Sequence, residues 1–149
     1  MEIRVADKVD LPEVLSLQKE AYLQEAKIYD DYDIQPLKQT LVELEKEAET
    51  YTILTAIEAG QIIGSVRAYE KDGTCYIGKL IVKPVYQNQG IGTKLMIEIE
   101  KMFLNAARFE LFTGKLSIKN IRLYEKMKYH IFKEERGMDT ITVVFMQKE

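Results

Sequence analysis

Leu80-Ile81-Val82-Lys83-Pro84-Val85-Tyr86-Gln87-Asn88-Gln89-Gly90-Ile91-Gly92-Thr93-Lys94-Leu95 is the stretch on which the reading of this sequence turns. The β-branched run Tyr76 to Val82 predicts a strand, Pro84 stops it, and Ile91, Leu95, Ile99 and Met102 recur at helical spacing. The segment is a strand, a turn and a helix, with glycines where the helix begins. Gly90 and Gly92 carry no Cβ, so a bulky anion can approach the free N–H groups of the first helical turn, where the dipole favours negative charge. A phosphate or pyrophosphate is the ligand this predicts. Two phosphate motifs are excluded. A P-loop needs Gly-Lys followed by Ser or Thr, whereas Gly92 is followed by Thr93 and then Lys94. A dinucleotide fingerprint needs a third glycine or alanine where Leu95 stands, and should open a βαβ unit rather than follow several strands.

Working outward, the 149 residues are expected to form one domain, residues 1–149, large enough to bury about two-thirds of its unfolded surface. The composition, 46% hydrophobic and 30% charged, is that of a soluble globular chain. A net charge of −3, with no Lys/Arg run, argues against nucleic acid as a partner. The one cysteine, Cys75, cannot form an internal disulfide, which fits a reducing compartment. Met1-Glu2-Ile3-Arg4-Val5 does not open a signal peptide, and no run of 18 apolar residues suggests a membrane span. A cytoplasmic location is expected, with no membrane partner; a homodimer is allowed.

In chain order, Ile3 and Val5 alternate with Glu2 and Arg4 as a first strand. Asp10-Leu11-Pro12-Glu13 then resembles a capping box ahead of a helix striped by Leu11, Val14, Leu15, Gln18, Ala21 and Tyr22. Residues from Leu23 to Pro36 lack clear periodicity, and a second helix carries Leu37, Leu41, Leu44 and Ala48 on one side. Strands are expected near Tyr51 to Glu58, Gln61 to Glu70 and Thr74 to Val82, with turns at Gly60 and Asp72-Gly73. After the glycine-led helix, Arg108 to Thr113 alternates as a strand that Gly114 breaks, and a helix capped by Ser117 runs to about Met127. Two last strands, near Tyr129 to Glu135 and Thr140 to Gln147, meet across Arg136-Gly137-Met138-Asp139. The order β-α-α-β-β-β-α-β-α-β-β describes an α+β protein, a mixed β-sheet with helices on both faces.

Gln87-x-x-Gly90-x-Gly92 after Val82-x-Pro84 resembles the acyl-CoA pyrophosphate loop of the GNAT family of N-acetyltransferases. The element order is also that of GNAT domains. A second segment, Asn120-Ile121-Arg122-Leu123-Tyr124-Glu125-Lys126-Met127-Lys128-Tyr129, is similar to the family's Asn-x-x-Leu-Tyr-x-Lys-x-Gly-Phe/Tyr motif. Lys128 departs from it where the family has glycine. If that position is left-handed, the lysine costs about 1 kcal/mol relative to glycine.

The resemblance implies an acetyl-CoA-dependent N-acetyltransferase, moving an acetyl group directly to a primary amine of a small molecule or peptide in a ternary complex, with no metal. It implies that Leu80, Ile81 and Val82 offer a strand edge to the pantetheine arm. Gln87, Asn88, Gln89, Gly90, Ile91, Gly92 and Thr93 would cradle the pyrophosphate. The thioester would lie between this strand and Arg108 to Thr113, with Asn120 near it and Tyr124 as the acid for the departing thiolate. A catalytically silent acyl-CoA sensor and a domain binding another nucleotide are the alternative functions.

Many family members are thought to use a carboxylate base on the strand before the motif, yet Cys75 to Val82 contains no Asp or Glu, and Lys79 stands there instead. Glu70, Asp72, Glu25 and Asp30 are the candidates elsewhere. The Tyr22 to Asp33 segment is expected to line the acceptor site, its Glu25, Asp30, Asp31 and Asp33 with Tyr22, Tyr29 and Tyr32 suiting a cationic amine; a solvated loop is the alternative. Counting from Asp31 as a calcium loop puts Pro36 where glycine is needed, so metal is not expected. Glu43, Glu45, Glu47 and Glu49 read as a solvated helix face, His130 as a surface histidine and Cys75 as a small core residue.

Overall fold

The computed structural model describes residues 1–137 and 141–149. The strands are β1 (Glu2–Val5), β2 (Thr52–Glu58), β3 (Gln61–Lys71), β4 (Thr74–Val82), β5 (Arg108–Gly114), β6 (His130–Arg136) and β7 (Thr142–Lys148). The α-helices are α1 (Leu11–Tyr29), α2 (Gln35–Lys38), α3 (Leu41–Glu47), α4 (Ile91–Lys101) and α5 (Ile118–Lys126). The strands form one sheet in the order β1-β2-β3-β4-β5-β7-β6, antiparallel except where β4 meets β5. This is the expected mixed α+β sheet. Both tight hairpin turns place two consecutive residues at positive φ, Ala59-Gly60 and Asp72-Gly73, matching the right-handed twist of the strands they join. The expected turn across Arg136 to Asp139 includes Met138 and Asp139, which lie outside the described residues.

Because strand side chains alternate, the sheet has a core on each face. On one, Ile91, Leu95, Met96 and Ile99 of α4 are buried against Leu54, Ile63, Val66, Cys75 and Ile77, each contributing roughly 2 kcal/mol of apolar burial. On the other, Leu11, Val14, Leu17 and Ala21 of α1 and Leu44 of α3 cover Ile53, Ile62 and Ile81. Among the described residues no helix is long and apolar enough to cross a membrane.

Four sequence readings change. The helix expected to fade after Tyr22 continues to Tyr29, because Ala26 is fully buried and Tyr22, Ala26 and Tyr29 repeat on one face. Half of the segment read as aperiodic, Leu23 to Tyr29, is therefore part of α1. The single second helix is instead two, broken at Gln39: the Thr40 hydroxyl accepts from the Glu43 amide at 3.2 Å and the Glu43 carboxylate accepts from the Thr40 amide at 2.8 Å, a capping box that starts α3 afresh. The box read at Asp10 and Glu13 lies one step earlier, with Asp10 Oδ2 accepting from the Asp7 amide, while Glu13 accepts from the Ile62 amide on β3. Ser117 occupies the N-cap position of α5, but its side chain bonds elsewhere and makes no cap.

Candidate active site

β4 and β5 pair only at Thr74–Arg108, Cys75–Phe109 and Tyr76–Glu110, so from Ile77 onward the strands part and leave a fork in the sheet. A bulge makes β4 ready for this. The β3–β4 register shifts between Ser65 and Arg67, and Lys79 sits at φ 48, a conformation strained for a residue with a Cβ. The alternation changes parity across it: Cys75 and Ile77 before the bulge and Leu80 and Val82 after it face the α4 core, while Ile81 faces α1. Leu80, Ile81 and Val82 thus bring an unpaired backbone edge to the fork on the β5 side.

Past Val82, a 3-10 turn over Pro84–Tyr86 leads into the loop before α4. The Gln87 side chain donates to the Val82 carbonyl at 3.0 Å and to Gln24 Oε1 at 3.0 Å, tying the loop to the end of β4 and to α1. Asn88 and Gly90 are left-handed, at φ 64 and 79, and Gly90 is the residue before α4. A Cβ built on Gly90 would meet nothing within 4 Å, so the glycine is there for its backbone and the space beside it is open. Gly92 differs: its Cβ would lie 3.4 Å from Leu123 and 3.7 Å from Leu80, ordinary contact distances, so it sits where α4 meets α5 and β4 and not beside open space. The first amides of α4 accordingly follow an exposed segment, Asn88 to Gly90, with open space beside Gly90, an arrangement that suits a pyrophosphate.

Across the fork, the start of α5 and the end of α1 are joined by a polar network. Ser117 Oγ donates to Glu25 Oε2 at 2.6 Å, Asn120 Nδ2 lies 3.4 Å from both Glu25 Oε1 and Thr113 Oγ1, and the Tyr29 hydroxyl lies 2.8 Å from Ser117 Oγ. The Leu116 amide donates to that same hydroxyl at 3.0 Å. Gly114 makes this possible, since a Cβ there would overlap the Tyr29 phenol. Tyr124 is 7% exposed and packs edge-on to Tyr129. Its hydroxyl makes no hydrogen bond among the described residues. Burial, reinforced by Tyr22 and Glu25, pushes the Tyr124 hydroxyl well above its ordinary range. Tyr22 is pushed up to about 12 by burial, with Arg67 opposing and Glu25 adding to the shift. A buried, protonated phenol therefore lies within electrostatic reach of a carboxylate held by hydroxyl and amide donors. Such a pair can donate a proton to a leaving group and receive a cation.

Among the base candidates, only Glu25 is brought to Tyr124. Glu70 pairs with Cys75 at the far end of β3, and Asp72 is in the exposed β3–β4 turn. Asp30 ends α1 as an exposed left-handed cap, half-buried Asp31 accepts from the Asp33 amide, and exposed Asp33 pairs with Lys38 at 3.3 Å. Asn120 spends its amide on Glu25 and Thr113, a role the sequence did not suggest. Lys128 is indeed left-handed, at φ 77. Cys75 is fully buried and its thiol is pushed up to about 12 by that burial, so it is a poor nucleophile. His130 is exposed on β6. Among the described residues there is no group of three or more His, Cys, Asp or Glu able to hold a metal. Glu47, read as a solvated residue, instead binds buried Arg67 at 2.7 Å; burial of an arginine on β3 was the missed signal.

The chain belongs to the acetyltransferase (GNAT) family, whose pattern matches residues 11–129. No curated protein matches it significantly. Among solved structures, a ribosomal-protein-alanine N-acetyltransferase from Brucella melitensis is 17% identical with a TM-score of 0.80, each chain covered over 99%. A PaiA N-acetyltransferase from Thermoplasma acidophilum in complex with coenzyme A is 16% identical with a TM-score of 0.79, covering 100% of this chain and 99% of that one. YncA from Salmonella typhimurium, solved with its cofactor acetyl-CoA, is 20% identical with a TM-score of 0.76, covering 100% and 93%. At these identities the likeness is one of fold.

Proposed function

We propose that the protein transfers an acetyl group from acetyl-CoA directly to a primary amine in a ternary complex. What supports the reading is the parting of β4 and β5 from Ile77 onward, together with the open helix start at Gly90 and a Glu25 carboxylate held by Ser117 and Asn120 within electrostatic reach of buried Tyr124. Acetyl-CoA supplies the thioester. Amides of Gln87 to Thr93 bind its pyrophosphate, and the backbone of Leu80 to Val82 aligns its arm along the fork.

Glu25, fixed by Ser117 and Asn120, receives the acceptor's ammonium and takes the proton that must leave before the nitrogen lone pair can attack. As the C–N bond forms and the C–S bond breaks, negative charge collects on sulfur. Tyr124 holds its proton at rest because its site disfavours phenolate, and it donates that proton to the sulfur. The second proton that the new amide nitrogen must shed restores the phenol, and Glu25 passes the first to solvent. The products are an N-acetylated amine and a free thiol. Amines, polyamines, aminoglycosides, amino acids and peptides assayed for acetyl-CoA-dependent thiol release test the reading. Turnover with at least one class, reduced at least roughly tenfold by Glu25→Gln, is expected. CoA binding without turnover on any amine would overturn it in favour of a silent sensor.

A further inference from the structure

Lys79 is the residue at the fork that this chemistry leaves unused. The bulge that strains its backbone also directs its side chain to the α1/α3 side of the sheet, where its Nζ lies 3.9 Å from Glu47 Oε1. Arg67, 1% exposed on the neighbouring strand, binds the other oxygen of the same carboxylate at 2.7 Å and donates to Gln18 Oε1 at 2.7 Å. Its Nε is the buried side-chain polar atom left without a partner among the described residues. Gln18 is fixed from its other end, its amide nitrogen donating to the Pro36 carbonyl and to Gln39 Oε1, each at 2.9 Å, so its oxygen is held on the Arg67 terminal nitrogen.

Two cations therefore share one carboxylate in a partly desolvated site, leaving it short of one negative charge. Burial and the Arg67 charge both disfavour the protonated form of Lys79, with Glu47 opposing them, which is the electrostatic sign of that shortage. The site also has an address. Gln18, Tyr22 and Glu25 follow one another along one face of α1, so Arg67, bonded to Gln18, and the Glu25 carboxylate, bonded to Ser117, lie on either side of Tyr22.

We propose that Lys79, backed by Arg67, binds a carboxylate carried by the acceptor, which is thus a small amino acid molecule whose ammonium goes to Glu25 and whose carboxylate goes to Lys79. The inference rests on the acetyltransferase reading and narrows its substrate class. An exposed amine bearing no nearby acid, such as a polyamine, would leave the Lys79 charge unanswered.

The test pairs free α-, β- and γ-amino acids with their carboxamides, which keep shape and lose the charge. The carboxamide amine is less basic and so more often unprotonated, which biases the comparison against the proposal. The acid of the best pair should nonetheless be preferred by roughly tenfold or more in kcat/KM, the scale of one charge-assisted contact. Lys79→Met should bring the ratio to near one, and Lys79→Arg should retain it. Carboxamides or simple amines used as well as the acids, or a ratio unchanged in Lys79→Met, would overturn the proposal while leaving the transferase reading intact. If no amine supports thiol release, calorimetry of the same amino acids with the CoA-loaded protein decides separately. Binding that Lys79→Met abolishes supports the subsite, and no binding refutes it.

Discussion

Replacing Tyr124 by Phe removes one oxygen and tests catalysis apart from folding, because the structure gives the two roles opposite signs. The ring is buried against Tyr129 and the α4 core, so its packing survives the change. The hydroxyl makes no hydrogen bond among the described residues, so its removal strands no partner. A buried hydroxyl lacking a partner costs about 1–3 kcal/mol in protein interiors, and this one is not fully sealed from solvent, so relief of a fraction of that is expected. On the scale of a 150-residue protein this means a Tm equal to or a few degrees above the parent, at about 2–4 °C per kcal/mol. If the hydroxyl donates to the leaving sulfur, kcat should fall roughly 10²- to 10⁴-fold, or about 3–5 kcal/mol in barrier, where chemistry limits turnover. The CoA Kd should hold, since the Gly90 loop is a separate wall of the fork. Thiol-release kinetics, calorimetry with CoA and thermal unfolding make up the assay. An unchanged kcat with a lowered Tm would refute the reasoning and make the hydroxyl part of the fold; an unchanged kcat with weakened CoA binding would make it a cofactor contact.

Gly90→Val forces a β-branched residue into φ 79 and fills the space beside the helix start, so CoA affinity should drop by more than tenfold while dephosphorylated pantetheine binds as before; calorimetry with both checks this. Glu47→Gln leaves Arg67 and Lys79 facing each other without their counter-charge and should cost about 2–4 kcal/mol, read from urea midpoints. The alkaline limb of stability follows from Tyr22, Tyr124 and Tyr129, whose folded pKa values all lie above the ordinary 10.0. The unfolded chain loses those protons first, so stability is full below pH 10 and declines as pH rises towards the folded values, by up to about 1.4 kcal/mol per pH unit per tyrosine. Tyr129→Phe, which also frees Glu100 from its 2.7 Å bond, should make the decline shallower between pH 10 and 11.

Features under the control of local periodicity and backbone chemistry were readable from the residues alone. Seven strands, the hairpins at Gly60 and Asp72-Gly73 and the helix beginning at Ile91 follow from side-chain alternation, from residues able to take positive φ and from the proline after Val82, whereas the left-handed backbone of Lys128 is read from the structure. The Gly90 loop and the Tyr124 motif were legible for the same reason, each being a short segment whose meaning lies in its own spacing. Even so, the two glycines of that loop turned out to differ: Gly90 has open space and needs its φ, whereas Gly92 sits at contact distance from Leu123 and Leu80, where a Cβ would also fit. Only the tertiary structure could decide what converges from distant parts of the chain. Glu25 was one acid among four until α1, continuing to Tyr29, carried it to Ser117 and Asn120, over ninety residues away. Glu47 read as solvated because a helix face has no sequence mark of what lies beneath it, and the arginine it binds belongs to β3, twenty residues on. Lys79 gained its neighbours from a bulge, a one-residue change of parity that depends on how β4 registers with β3 and that no alternation within β4 alone can specify.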